Sequence, residues 1–198
     1  MEVGFNKIKT GIFIEGRFNE NDKSQLLKHY KSKNLTLTGL KLENLEFLLN
    51  LKELESLKLY SCIIDNSSIL CELKKLKFLF FHKIKNPNDN FSFLTEIVSL
   101  EELGIGYAPH FEVFPDLSNC EKLKKLQVFN CKELVDISNV TKIPHLEQFS
   151  IVATPQKPED LEFIMQKPTI KFMSGAFGGK KIDDEFMNML KKYGIQYG

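Results

Sequence analysis

The chain has 198 residues, of which 42% are hydrophobic and 27% charged, a composition that excludes a disordered polymer. Its 27 Lys and Arg against 26 Asp and Glu leave a formal charge of +1, so no global field is available to grip nucleic acid or an anionic membrane. No apolar run approaches the roughly 20 residues needed to cross a bilayer, and Met1 to Lys7 contain no basic stretch leading into an apolar one, so a soluble cytoplasmic protein is expected.

The first predicted element is Ile12-x-Ile14, two apolar residues separated by one other. The unit returns as Leu35-x-Leu37, Leu57-x-Leu59, Leu79-x-Phe81, Leu103-x-Ile105, Leu126-x-Val128, Phe149-x-Ile151 and Ile170-x-Phe172, at steps of 23, 22, 22, 24, 23, 23 and 21 residues. A weaker copy, Ile195-x-Tyr197, follows 25 residues later. Counting back three, six and nine from Leu57 gives Leu54, Leu51 and Leu48, and the same count from Leu79, Leu103, Leu126 and Phe149 again meets apolar residues or Cys120. Each unit reads as a short strand with alternate residues inward, and the residues ahead of it face the same core from a return arm. One unit cannot bury both arms, so neighbours must stack into a solenoid of about eight or nine coils.

On the outer arc, the spacing predicts helices at about 22–31 (Leu26, Leu27 and Tyr30 inward), 41–49 (Leu42, Leu45 and Leu48) and 158–166, with Pro158 at a first helical position. A closing helix is predicted at about 182–193, with Phe186, Met189 and Leu190 on one face, Asp183 or Asp184 as its N-cap and Gly194 as its stop. The organisation is then one solenoid domain: a capping coil over 1–34, regular repeats over 35–175 and a C-terminal cap over 176–198.

Leu54-x-x-Leu57-x-Leu59-x-x-Cys62 and Leu123-x-x-Leu126-x-Val128-x-x-Cys131 match the pattern L-x-x-L-x-L-x-x-N/C. On these residues the chain resembles the leucine-rich repeat family, in its short class, over roughly residues 8–175. The resemblance implies an α/β solenoid with a parallel sheet on the concave face and short helices, 3₁₀ turns and loops on the convex one. The segments 115–120 and 135–140 look like the compact convex side of internalin-type repeats, relatives that are secreted, whereas no export signal is read here. Ile84, Ala108 and Thr154 stand where the family has Asn or Cys, which questions a continuous hydrogen-bonded ladder at that corner.

Cys62, Cys71, Cys120 and Cys131 lie nine or more residues apart, and the four histidines are scattered. Neither set has metal-site spacing, and buried thiols in a reducing compartment are expected. Ser174 to Lys181 follows a strand and precedes a helix, but it lacks the first Gly and the final Ser or Thr of a phosphate-gripping loop. Nucleotide response or an enzyme using the Gly-rich loop 175–181 is therefore the weaker alternative, with self-association a third. Carboxylate pairs such as Glu43/Glu46, Glu101/Glu102 and Asp183/Asp184 read as solvated charge, and no nucleophile elbow occurs. No cofactor is expected.

The concave columns are the informative part. One position after the first apolar residue, they run Phe13, Thr36, Lys58, Phe80, Gly104, Gln127, Ser150 and Lys171; three after, Glu15, Thr38, Tyr60, His82, Gly106, Phe129, Val152 and Met173. Phe78, Glu102 and Lys125 precede their units, while Lys83 and Tyr107 follow four after. Tyr60, Phe78, Phe80, His82, Tyr107 and Phe129 thus fall on neighbouring coils, an expected aromatic patch of roughly 450–750 Å². Gly104 and Gly106 are expected to leave a dip for a partner side chain, with Lys58, Lys83, Glu102, Lys125 and Gln127 as a polar rim. The reading is a non-catalytic protein-binding module, monomeric when free, acting as an inhibitor or immunity protein or as an adaptor. The family resemblance implies the same protein-binding use.

Overall fold

The recurring apolar unit folds as a strand each time because alternate side chains can be buried only on one side of an extended chain. The computed structural model describes residues 4–9, 11–85 and 91–198. In chain order they form β1 (Phe5–Ile8), β2 (Gly11–Glu15), α1 (Glu20–Leu27), β3 (Asn34–Thr38), β4 (Lys41–Leu42) and a 3₁₀ turn, Glu46–Asn50. Then come β5 (Ser56–Tyr60), β6 (Ile63–Ile64), a 3₁₀ turn at Ser68–Glu72, β7 (Phe78–His82), another at Ser92–Glu96, β8 (Glu102–Gly106) and β9 (Lys125–Phe129). The C-terminal part has a 3₁₀ turn at Ser138–Lys142, β10 (Gln148–Val152), a 3₁₀ turn at Pro158–Leu161 running into α2 (Glu162–Met165), β11 (Phe172–Ala176), α3 (Lys180–Tyr193) and β12 (Gln196–Tyr197).

Ten strands make one sheet in the order β1-β2-β3-β5-β7-β8-β9-β10-β11-β12, and β4 pairs with β6 in a second, two-stranded sheet. Every pairing in the long sheet is parallel except β1 with β2, a hairpin at the N-terminal edge that periodicity does not reveal. The register runs Leu35, Leu57, Leu79, Leu103, Leu126 and Phe149 in one line, as the repeat predicts. The positions three, six and nine before Leu57, Leu79, Leu103, Leu126 and Phe149 are all buried. At about 1.5–3 kcal/mol per buried aliphatic side chain, this stacked core is the main stabilising term.

Two backbone devices repeat around the core. Four residues after the first apolar position, Gly16, Gly39, Ser61, Lys83, Tyr107, Asn130 and Ala153 all take φ between 51° and 73°. This left-handed turn ends the strand. From Gly16 to Asn130 it also aims the N–H at a carbonyl of the next coil, as in Gly39 N to Tyr60 O (2.8 Å), Ser61 N to His82 O (2.8 Å), Lys83 N to Gly106 O (2.9 Å) and Tyr107 N to Phe129 O (3.0 Å). The corner ladder is therefore continuous through backbone groups, whatever stands at Ile84 or Ala108. Where Cys occupies that position, its thiol adds contacts, Cys62 Sγ to Tyr60 O at 3.4 Å and Cys131 Sγ to Phe129 O at 3.5 Å.

At the opposite corner, one carbonyl two residues before each unit accepts two N–H groups of the next coil. Glu55 O takes Lys77 N and Phe78 N, and Lys77 O takes Glu101 N and Glu102 N. The side chains of that column alternate in sign through Lys33, Glu55, Lys77, Glu101, Lys124, Glu147 and Lys171. Ion pairs join Lys33 to Glu55 (2.7 Å), Lys77 to Glu101 (3.2 Å) and Glu147 to both Lys124 (3.6 Å) and Lys171 (2.8 Å). Pairs so exposed are screened by water and salt, so they stabilise the fold little. On the convex side, Asn44, Asn66, Asp116 and Asp136 each accept the N–H two residues on, opening the outer turn.

Several predicted elements shift. The helix expected at 22–31 spans Glu20–Leu27, because Asn19 and Asp22 form a reciprocal capping box that starts it earlier. Of its three inward candidates only Leu26 is buried; Leu27 and Tyr30 are 44% and 49% exposed. Instead of a helix at 41–49, a two-residue strand precedes a 3₁₀ turn, although Leu42, Leu45 and Leu48 are buried as expected. A 3₁₀ turn rises about 2.0 Å per residue and spans the short outer arc with fewer residues. At 158–166 a helical segment forms with Pro158 at its start. The closing helix begins at Lys180 with Gly179 as N-cap; neither Asp183 nor Asp184 caps it, and Gly194 (φ 68°) ends it as expected.

The eighth unit is Met173-x-Gly175, not Ile170-x-Phe172, since Phe149 pairs with Met173 and Ile151 with Gly175. A glycine at an inward position hides the unit from any apolar count, and the Phe177 ring fills its place, 2.8 Å from where a Cβ would stand. The concave column accordingly ends in Ser174 and Ala176 rather than Lys171 and Met173. Likewise Ile195-x-Tyr197 is not an inward pair: Ile195 is buried, but Tyr197, opposite Met173, is exposed.

Candidate functional site

Strand parity sets the concave face. Leu79 and Phe81 point into the core, so Phe78, Phe80 and His82 point away from it. The cross-strand register then aligns Lys58, Phe80, Gly104 and Gln127 in one row and Tyr60, His82, Gly106 and Phe129 in the next.

The rings meet. Tyr60 lies 5.5 Å from Phe80 and 5.6 Å from His82; His82 lies 4.7 Å from Tyr107 and 5.8 Å from Phe129; Tyr107 lies 6.1 Å from Phe129. Phe80 and Phe129 come from the strands on either side of β8 and stack at 5.7 Å with 22° between their planes. They reach each other because β8 carries glycine beneath both. A Cβ on Gly104 would sit 2.3 Å from the Phe80 ring, and one on Gly106 would sit 2.1 Å from the Phe129 ring.

The expected dip over both glycines is therefore occupied by the chain's own rings. Tyr60, Phe80, His82 and Phe129 are half-buried against one another instead of standing open, while Phe78 and Tyr107 are 39% and 45% exposed. A hollow of about 370 Å³ remains beside the stack, lined by Ser56, Lys58, Tyr60, Phe78, Phe80, Glu102, Gly104 and Gln127. The rim is less charged than its composition suggests, since Glu102 and Lys125 pair with each other at 3.0 Å. Lys58 and Lys83 are exposed and make no ion pair among the described residues.

The cysteines belong to the core. All four are free thiols, three of them buried and Cys71 half-buried. Burial pushes the Cys120 thiol up to about 11 and raises Cys62, Cys71 and Cys131 as well, the opposite of an activated nucleophile. In the loop before α3, the Asp183 carboxylate accepts the Phe177 N–H at 2.8 Å, placing negative charge where a phosphate would have to sit. Among the described residues, no helix is long and apolar enough to cross a membrane.

A second hollow went unread in the sequence. It measures about 400 Å³ and lies at the left-handed corner beyond the sheet, lined by Lys83, Ile84, Lys85, Tyr107, Ala108, Pro109, Asn130, Lys132 and Glu133. Its signal was the departure of Ile84 and Ala108 from the Asn or Cys of the repeat.

No family model and no curated protein matches the chain. Among solved structures it is similar to internalin C2 from Listeria monocytogenes, with a TM-score of 0.54 and 21% identity over 72% of this chain and 60% of that one. The fold is a leucine-rich repeat solenoid. A second internalin (inlF) of the same species aligns over 82% of this chain and 53% of the other at 17% identity, with a TM-score of 0.49. The chain thus spans three-fifths of the first neighbour's length and about half of the second's.

Proposed function

We propose that this chain is a non-catalytic module that binds a protein partner on its concave face. The observation that carries the reading is the stack of Phe80 on Phe129 across β8, with Tyr60, His82 and Tyr107 packed around it. Aromatic anchors dominate interface energetics, and rings already held by neighbours lose little freedom on binding. The hollow beside them, rimmed by Lys58, Phe78 and Gln127, offers a seat for one partner side chain. Its place on a rigid parallel sheet supports recognition by preformed shape.

Four unpaired thiols suit a reducing compartment, and the module acts there by occupying its partner, as an inhibitor such as an immunity protein or as an adaptor. Recovery of the partner from the native lysate, with mass spectrometry, tests the reading against a Phe80→Ser/Phe129→Ser variant. The variant should melt within a few degrees of the parent and lose the partner. Undiminished co-purification by a folded variant overturns the proposal, and a toxin-like neighbouring gene would favour inhibition over recruitment.

A further inference from the structure

We infer that the corner hollow beyond β7, β8 and β9 is a second contact site, one that takes an apolar side chain flanked by carboxylates on a partner protein. The inference rests on the protein-binding reading above and adds the partner's chemistry. The floor is apolar, with Ile84 and Ala108 buried and Tyr107 and Pro109 exposed above them. Among the described residues that line it stand three exposed cations, Lys83, Lys85 and Lys132, against one carboxylate, Glu133. Among the described residues none of these lysines makes an ion pair, whereas Lys33, Lys77, Lys124 and Lys171 along the opposite corner all do.

Equivalent positions on successive coils explain the layout. Lys85, Pro109 and Lys132 each lie six residues after the first apolar residue of their coil, so Pro109 stands between the two lysines in that column. Parallel strands lie about 4.8 Å apart, which sets Lys85 and Lys132 about 10 Å from each other. An extended segment covers that distance in about three residues. The matching ligand therefore has an aliphatic or aromatic side chain bracketed by Asp or Glu. Tyr107 makes the site continuous with the concave cluster, since it lines this hollow and also touches His82. A single partner can thus engage both, with carboxylates at the corner raising its association rate and fixing its direction along the arc.

The test is selection of a random dodecapeptide phage library on the immobilised full chain, repeated on Lys85→Glu/Lys132→Glu and on Phe80→Ser/Phe129→Ser. Both variants are first shown to keep the parent's circular dichroism, with Lys85→Gln/Lys132→Gln in reserve should charge reversal disturb the fold. Peptides lost only on the lysine variant should carry Asp or Glu on both sides of an apolar residue. Their synthetic forms should bind the parent at least tenfold more tightly than that variant, with affinity falling as salt rises. No lysine-dependent peptide, or lysine-dependent peptides without that acidic bracket, overturns the corner site. Peptides lost only on the phenylalanine variant sink the corner while leaving the concave reading in place, so the two failures are distinguishable.

Discussion

Phe80 and Phe81 are consecutive on β7 and end on opposite sides of the sheet. Phe81 is 2% exposed and meets Phe91 and Phe93 edge-on at 5.7 and 5.9 Å, and the contacts run on through Phe111 to Phe114. Phe80 is half-buried, with one edge of its ring against Gly104 and its face stacked on Phe129. Both belong to aromatic clusters with similar ring spacings. The inner cluster fills volume between the sheet and the convex arc, which nothing else can occupy. The outer cluster rests on bare backbone with one side toward water, so its contacts hold a shape more than they hold the fold.

The largest expected difference follows directly. Phe81→Ala leaves a cavity in a close-packed interior and should destabilise the protein by about 3–5 kcal/mol. Phe80→Ala removes a half-exposed ring and should cost about 1 kcal/mol or less. Urea denaturation of the two variants, one residue apart, measures the contrast. Equal losses would mean that the concave rings are part of the core and not a surface held ready for a partner.

A second variant sharpens the comparison without touching a ring. Gly106 has an ordinary strand φ, so alanine is conformationally acceptable there, but its Cβ would stand 2.1 Å from Phe129. The obstacle is the end of a side chain and not backbone, so Gly106→Ala should displace the Phe129 ring at a cost of about 1 kcal/mol while the sheet persists. The readout is NMR. In the parent, ring currents shift the Gly106 α-protons upfield because Phe129 lies over them, and the variant should lose the stacking signature at Phe80. An unchanged Phe80–Phe129 contact in the variant would show that glycine is not what lets the rings meet.

How far all this is legible in the sequence depends on what a position contributes. Leu48, Leu51, Leu54, Leu57 and Leu59 announce their burial because each is apolar and in step, and the sheet, its register and the identity of the concave residues follow from that. Glycine defeats the method twice. At Gly175 it hides an inward position, which moves the eighth unit to the wrong residues. At Gly104 and Gly106 it reads as empty space, although a missing side chain lets neighbouring rings cross from the flanking strands. The pairing of Glu102 with Lys125 is likewise invisible in single columns and appears only once adjacent coils are aligned.

The smallest effect concerns the corner that turns every strand out of the sheet. Ala153 holds φ at 53°, a region that costs an L-residue about 1–2 kcal/mol and glycine almost nothing. Glycine also adds freedom to the unfolded chain, which offsets about half of the gain. Ala153→Gly should therefore raise stability by about 0.5–1 kcal/mol, seen as a melting temperature about 1–4 °C higher. Asn130, at φ 53° in the preceding coil, already tolerates the conformation through its short polar side chain, so Asn130→Gly should change little. If instead both glycine variants melt lower than the parent by the same amount, the left-handed corner is being enforced by packing so strong that local preference no longer matters. The corner would then be as rigid a platform as the sheet beside it.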